Sequence, residues 1–112
     1  MDADEPFDQP LYRALRYPAR VAILAVFVER RGEALGATTV ARDAGLAVST
    51  FHDHRDTLVD LEFVERHDEE GYPSYTLAET KQARLLCELD SVLSDVYGRR
   101  EDVAVSVEEF VE

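Results

Sequence analysis

Residues 40–66, VARDAGLAVSTFHDHRDTLVDLEFVER, decide the fold. Val40, Ala41 and Ala44 make a small apolar face at helical spacing, and Gly45 follows as the residue that stops such a helix. Beyond the turn AGLAV, Phe51, His54, Leu58 and Leu61 recur on one side of a second helical pattern, while Ser49, His52, Asp53, Asp56 and Asp60 point the other way. Two helices joined by a short glycine-containing turn are a helix-turn-helix candidate.

Working outward, FVERHDEEGYPSYTL changes period and reads as two short strands, Phe63 to His67 and Ser74 to Leu77, joined by an acidic turn with Gly71 and Pro73. Such a hairpin after the second helix is a wing. From Ala78 to Tyr97 helical spacing returns, with Leu85, Leu86, Leu89, Val92, Leu93, Val96 and Tyr97 in one wide stripe and Cys87, Ser91 and Ser94 opposite. A small core is already complete by then, so this stripe exceeds what one domain can cover and implies a partner chain. Upstream, PLYRALRYP gives a short helix that breaks before Pro18, and Pro18 to Arg31 is apolar nearly all round, as a central core helix should be. The expected organisation is an acidic arm at 1–9, a domain at 10–77, a dimerisation helix at 78–98 and an acidic tail at 99–112. Alternating Val103, Val105 and Val107 allow the tail to be an edge strand or a frayed end.

At 112 residues the chain has room for one core, which excludes two independent enzymatic domains. Its longest apolar run, Val21 to Val28, is far shorter than the ~20 residues that span a bilayer. The acidic start MDADEPFDQP lacks the features of a secretory signal, so a cytoplasmic protein is expected. Cys87 is the only cysteine, which rules out an internal disulfide and a cysteine-rich zinc site. Twenty-four acids oppose twelve bases for a net charge of −12, and only Lys81 among the bases is lysine. Molar salt shortens the Debye length to ~3 Å and suppresses the self-repulsion of such a chain. The composition resembles that of haloarchaeal proteins; an ordinary acidic protein that avoids nucleic acid is the alternative.

The order helix, helix, helix, recognition helix, hairpin, long helix resembles a winged helix-turn-helix transcription regulator, mostly α with a small β-hairpin. ALRYPARVAILAVF is similar to the opening "A-L-x-x-P-x-R-x-x-I-L" of arsenic-repressor-type (ArsR-like) regulators through Ala14, Leu15, Pro18, Arg20, Ile23 and Leu24. Gly45, Leu46, Ser49, Thr50, Phe51, His54, Leu58, Phe63 and Val64 match their helix-turn-helix. The resemblance spans about residues 10 to 98, and MarR-like and PadR-like regulators share the same order of elements. Two departures stand out. Arg55 replaces a core leucine, so its stem should lie along the core edge with the guanidinium at the surface. Asp60, Leu61 and Glu62 stand where a small residue or glycine closes the helix. The central helix lacks the metal-binding cysteines of many such proteins, so no cofactor is expected beyond bound inorganic cations such as K+.

The resemblance implies double-stranded DNA and a second copy of the chain as partners, no membrane, and no enzymatic role. Ser49, Thr50, His52 and Asp53, at the start of the recognition helix, would reach base edges, unless Ser49 merely caps the helix and His52 sits in solvent. Arg42, Arg55, the wing's Arg66 and the helix-opening Thr38 and Thr39 would meet phosphates; for each arginine an internal ion pair is the competing use. Arg13, Arg16 and Arg20 with Tyr17 form a basic cluster free of nearby acids in sequence; the resemblance places this region near the dimer interface or the DNA backbone, and pairing with acids of the C-terminal helix is the simplest use. Asp68, Glu69 and Glu70 put carboxylates on the wing, and Tyr72 and Tyr75 read as strand packing. His52 and Asp56 share a helical face and would hold a metal only weakly. Two other functions suit the same fold: a protein-interaction module, suggested by the acidic recognition face, and a thiol redox sensor through Cys87.

Overall fold

The computed structural model describes residues 9–69 and 71–111, with side chains as far as residue 99. Its elements are α1 (Pro10–Leu15), α2 (Pro18–Glu29), α3 (Ala37–Ala44), α4 (Val48–Asp60), β1 (Val64–Glu69), β2 (Tyr72–Leu77) and α5 (Lys81–Val111). Proline opens both α1 and α2, where a missing N–H costs nothing. Helix α2 is the hub: Ile23, Leu24, Val26, Phe27 and Val28 are buried, while Val21 and Ala25 stay exposed on its remaining face. Val40 and Ala41 of α3, Phe51 and Leu58 of α4, Val64 of β1 and Tyr75 of β2 complete one core.

The turn between α3 and α4 is a Schellman closure. Gly45 is left-handed (φ +73°), its N–H donates to the Arg42 carbonyl, and the N–H of Leu46 donates to Ala41. Helix α4 ends in the same way without a glycine. Glu62 takes the left-handed conformation (φ +64°), with Glu62 N–H donating to Val59 and Phe63 N–H to Leu58. The hydroxyl of Thr80 donates to the Glu62 carbonyl at 2.7 Å, and the Gln82 amide donates to that of Leu61, so the start of α5 clamps this corner. A left-handed L-residue costs roughly 1–2 kcal/mol, part of which a glycine returns as unfolded-state entropy. Glu62→Gly is therefore expected to stabilise the fold by about 0.5–1 kcal/mol, as a rise in the urea midpoint at unchanged slope.

The wing is longer than its sequence pattern suggests. Strands β1 and β2 pair antiparallel from Val64 opposite Leu77 to Glu69 opposite Tyr72, with Gly71 at φ +81° in the turn. Asp68 and Glu69 thus lie in β1 rather than in the turn. Tyr75 anchors the hairpin: it is fully buried, meets Phe51 edge-on at 5.1 Å, and exchanges both backbone hydrogen bonds with Leu35 at 2.8 Å. Strand packing thus describes Tyr75; Tyr72, 81% exposed at the wing tip, does not follow it.

Helix α5 departs from the expected boundary. It begins at Lys81 and continues through 99–111, where an edge strand or frayed tail was expected. An even 1.5 Å rise makes it about 46 Å long. The alternating valines that suggested a strand also fit a helix, since a short run of polar and apolar residues carries both periods. Among the described side chains of α5, those that join the core lie in its first turns, buried Ala83 and partly buried Leu86.

Candidate nucleic-acid interface

Helix α4 presents its side chains in three sectors. Phe51 and Leu58 enter the core; Ser49, His52, Asp53, Asp56 and Asp60 are exposed on the opposite side. His54 and Thr57 are half-buried on one flank toward α1 and α2, and Arg55 on the other toward the wing. The N-cap of α4 is Ala47, and no side chain caps the helix. Ser49 therefore does not spend its hydroxyl on capping, and the first N–H groups of α4 remain open. Thr50 is half-buried. Helix α3 likewise opens at Gly36 without a side-chain cap, so backbone N–H groups stand free beside exposed Thr38 and half-buried Thr39.

Arg55 fixes the tautomer of His52. Its Nη1 lies 2.8 Å from His52 Nδ1, and since a guanidinium only donates, Nδ1 is the acceptor and the neutral ring carries its proton on Nε2. That N–H is a donor suited to N7 or O6 of guanine or O4 of thymine. The same Nη1 lies 3.3 Å from the Tyr75 hydroxyl. The Arg55 side chain is only 25% exposed; its Nε is buried without a hydrogen bond, although Asp56 Oδ1 approaches to 3.4 Å as an ion pair. The guanidinium expected at the surface is instead tucked between α4 and the hairpin, where His52 and Tyr75 accept its Nη1.

The other cations differ in how they are held. Asp43 takes Arg30 at 2.7 Å and Arg42 at 3.2 Å, and these bonds, that of Arg30 first, hold its carboxyl below the usual range. A depressed carboxyl stabilises the fold above its ordinary pKa and loses that contribution as pH falls through the lowered value. Arg42 itself remains 69% exposed and able to leave. Arg66 pairs with Asp68 on the same strand at 3.0 Å. For Arg42 and Arg66 the internal ion pair is thus present in the free protein.

Among the described residues, Arg13, Arg16 and Arg20 form no ion pair with an acid of α5. They line a groove of about 730 Å³ with Tyr17, Thr57 and Leu61, beside α4. On the other side of the domain, Leu15, Val21, Leu24, Ala25, Val28, Leu86, Leu89 and Leu93 line an apolar groove between α2 and α5. Of the seven stripe residues, Leu86 and Val96 are half-buried and Leu85, Leu89, Val92, Leu93 and Tyr97 are exposed, Leu89 by 52% and Tyr97 by 70%. Sequence reading missed Val21 and Ala25 as members of this surface, because an all-round apolar helix does not say which side its own domain leaves bare. Cys87 is half-buried and free, in a groove shared with His67 of the wing. Among the described residues no three His, Cys, Asp or Glu are placed to hold a metal, and no helix is long and apolar enough to cross a membrane.

Helix-turn-helix, hairpin and long trailing helix define the class as a winged helix-turn-helix. Residues 21–68 match the IclR helix-turn-helix domain. A homodimeric winged helix-turn-helix DNA-binding domain from Mycobacterium bovis, described as a possible ArsR-family regulator, superposes with a TM-score of 0.60 at 18% identity, over 90% of this chain and 95% of that one. A predicted DNA-binding transcriptional regulator from E. coli gives 0.59 at 20% identity, over 78% and 85%. A MarR family transcriptional regulator from Silicibacter pomeroyi DSS gives 0.57 at 17%, over 90% and 74%. No curated protein is significantly similar in sequence.

Proposed function

We propose that this chain is a homodimeric, sequence-specific DNA-binding transcription regulator acting in a cytoplasm of high salt. The observation that carries the reading is the start of α4, where Ser49, His52 and Asp53 are exposed and the contact of Arg55 with His52 Nδ1 leaves Nε2–H as the donor of the neutral ring. A hydroxyl, an imidazole N–H and a carboxylate are the donors and acceptor that base edges require. The homodimeric state described for the Mycobacterium bovis domain and the bare α2–α5 surface favour two copies, whose recognition helices would read half-sites about one helical turn apart. The high-salt setting rests on the −12 charge.

Selection from a random duplex library by the wild-type protein supplies a probe, and its scrambled version the control. Ser49→Ala with His52→Ala is expected to reduce discrimination between them by roughly 10- to 100-fold, since a good base contact is worth about 1–3 kcal/mol. Failure of the library to yield any enriched sequence would overturn the reading. It would favour a protein-interaction module, for which exposed Asp53, Asp56 and Asp60 offer an acidic face.

A further inference from the structure

The acids of this chain outnumber its bases two to one, yet the side chains of Arg13 and Arg16 form no ion pair and donate no hydrogen bond among the described residues. Their positions are built rather than incidental. The guanidinium of Arg20 donates Nη1 to the carbonyls of Arg13 and Ala14 at 3.0 and 3.1 Å and Nε to His54 Nδ1 at 3.3 Å, which ties α1 to α2 and both to α4. Tyr17 lies between two cations, with Arg16 4.9 Å and Arg20 4.8 Å from its ring centroid, and packs on His54 at 5.3 Å. Cation–π contacts orient a guanidinium without neutralising it. Three positive charges are therefore concentrated in one open groove with no carboxylate among the described residues that line it, at a cost in mutual repulsion that an anion would relieve.

The groove's place selects the anion. Its walls include Thr57 of α4 and Leu61 at the C-cap of that helix, so it adjoins the flank of the recognition helix opposite to Arg55 and the wing. A helix about 10–12 Å across fills a major groove about 12 Å wide, and a phosphate backbone then runs along each flank. The wing flank offers Arg66, already paired with Asp68; the α1–α2 flank offers unpaired arginines. We propose that Arg13, Arg16 and Arg20 form a clamp for the phosphate backbone on the flank of the recognition helix away from the wing. The proposal rests on the DNA-binding reading above and adds residues to it. The clamp positions the duplex without reading sequence, and Arg20 transmits that position to α4 through His54.

The test uses the full chain, the selected duplex and its scrambled control. Arg13→Ala with Arg16→Ala removes two exposed side chains, so the thermal melt should be unchanged. Affinity should fall roughly tenfold or more on both duplexes alike, and the slope of log K against log[KCl] should become less negative by about 2 per protomer, about 4 for the bound dimer. Arg13→Lys with Arg16→Lys should keep the wild-type salt slope, because the charges remain. Ethylation of phosphates on one side of each half-site should block the wild type and not the alanine variant. Unchanged affinity and slope in the alanine variant, with the wild type binding normally, would overturn the clamp and leave DNA binding standing. Failure of the wild type to bind the selected duplex would instead overturn the underlying reading. Loss of affinity confined to the selected duplex would also overturn the clamp, since it would mark the arginines as readers of sequence.

Discussion

Leu89→Asp with Leu93→Asp is expected to convert a dimer into monomers and to lower affinity for the selected duplex by at least about 100-fold. Both side chains line the apolar groove between α2 and α5, and both are more than two-fifths exposed in the single chain. Leu85, Val92 and Tyr97 extend the bare surface along α5, and Val21 and Ala25 add the uncovered side of α2. At roughly 25 cal/mol per Å², covering such side chains is the strongest associative term this molecule has, and carboxylates in their place would lose that term and add repulsion across the two-fold axis. A monomer reads one half-site, so the effective-concentration advantage of a linked second half-site, commonly 10²-fold or more, disappears. Light scattering at molar KCl reads the oligomeric state, and fluorescence anisotropy reads the affinity. Neither substitution touches the core, so the melt of the monomer should stay cooperative. A wild-type protein that is monomeric at tens of micromolar would refute the dimer.

The helix-turn-helix was legible because its two signals are local. Glycine in a left-handed position and the apolar spacing of Phe51, Leu58 and Leu61 depend only on neighbours along the chain. The end of α4 was legible only as an anomaly. Glu62 stands where glycine was expected, and nothing local reveals that Thr80 and Gln82, far along the chain, hold its corner closed. The basic cluster was visible as residues but not as a place: Arg20 reaches His54 across thirty-four positions, and no periodicity foretells which way α1 folds back on α2. The tautomer of His52 was equally out of reach, because it follows from where Arg55 is held by Tyr75 of the wing. The extent of α5 failed for a different reason, since a valine every second residue satisfies a strand and a helix alike, and the backbone continues the helix to Val111.

The second large effect concerns salt. A basic repressor that contacts six to ten phosphates loses about 10³–10⁵ in affinity between 50 and 200 mM salt, because each contact releases a condensed counterion. The interface here is composed differently. Arg42 and Arg66 are already paired with Asp43 and Asp68 in the free protein, so moving either to a phosphate would exchange one anionic partner for another and leave a carboxylate to collect a cation. Asp53, Asp56 and Asp60 are exposed on the outward side of α4, and Asp68 and Glu69 on β1. Carboxylates brought near phosphates retain or take up cations, which offsets the release term. Only the unpaired arginines of the α1–α2 groove release counterions without an internal exchange, each contributing a slope of about −0.9. In a dimer six such arginines would release counterions with a slope of about −5, roughly 10³ in affinity between 50 and 200 mM KCl, and cation uptake by the carboxylates is expected to hold the wild-type loss well below that. Asp68→Asn should free Arg66 and remove one cation site in each protomer, giving tighter binding at low salt and a slope more negative by about 2 for the dimer. Anisotropy titrations of the selected duplex at several KCl concentrations measure both quantities. A wild-type loss of 10³ or more over that range would show that counterion release dominates after all, and that the carboxylates of α4 and the wing stay clear of the duplex.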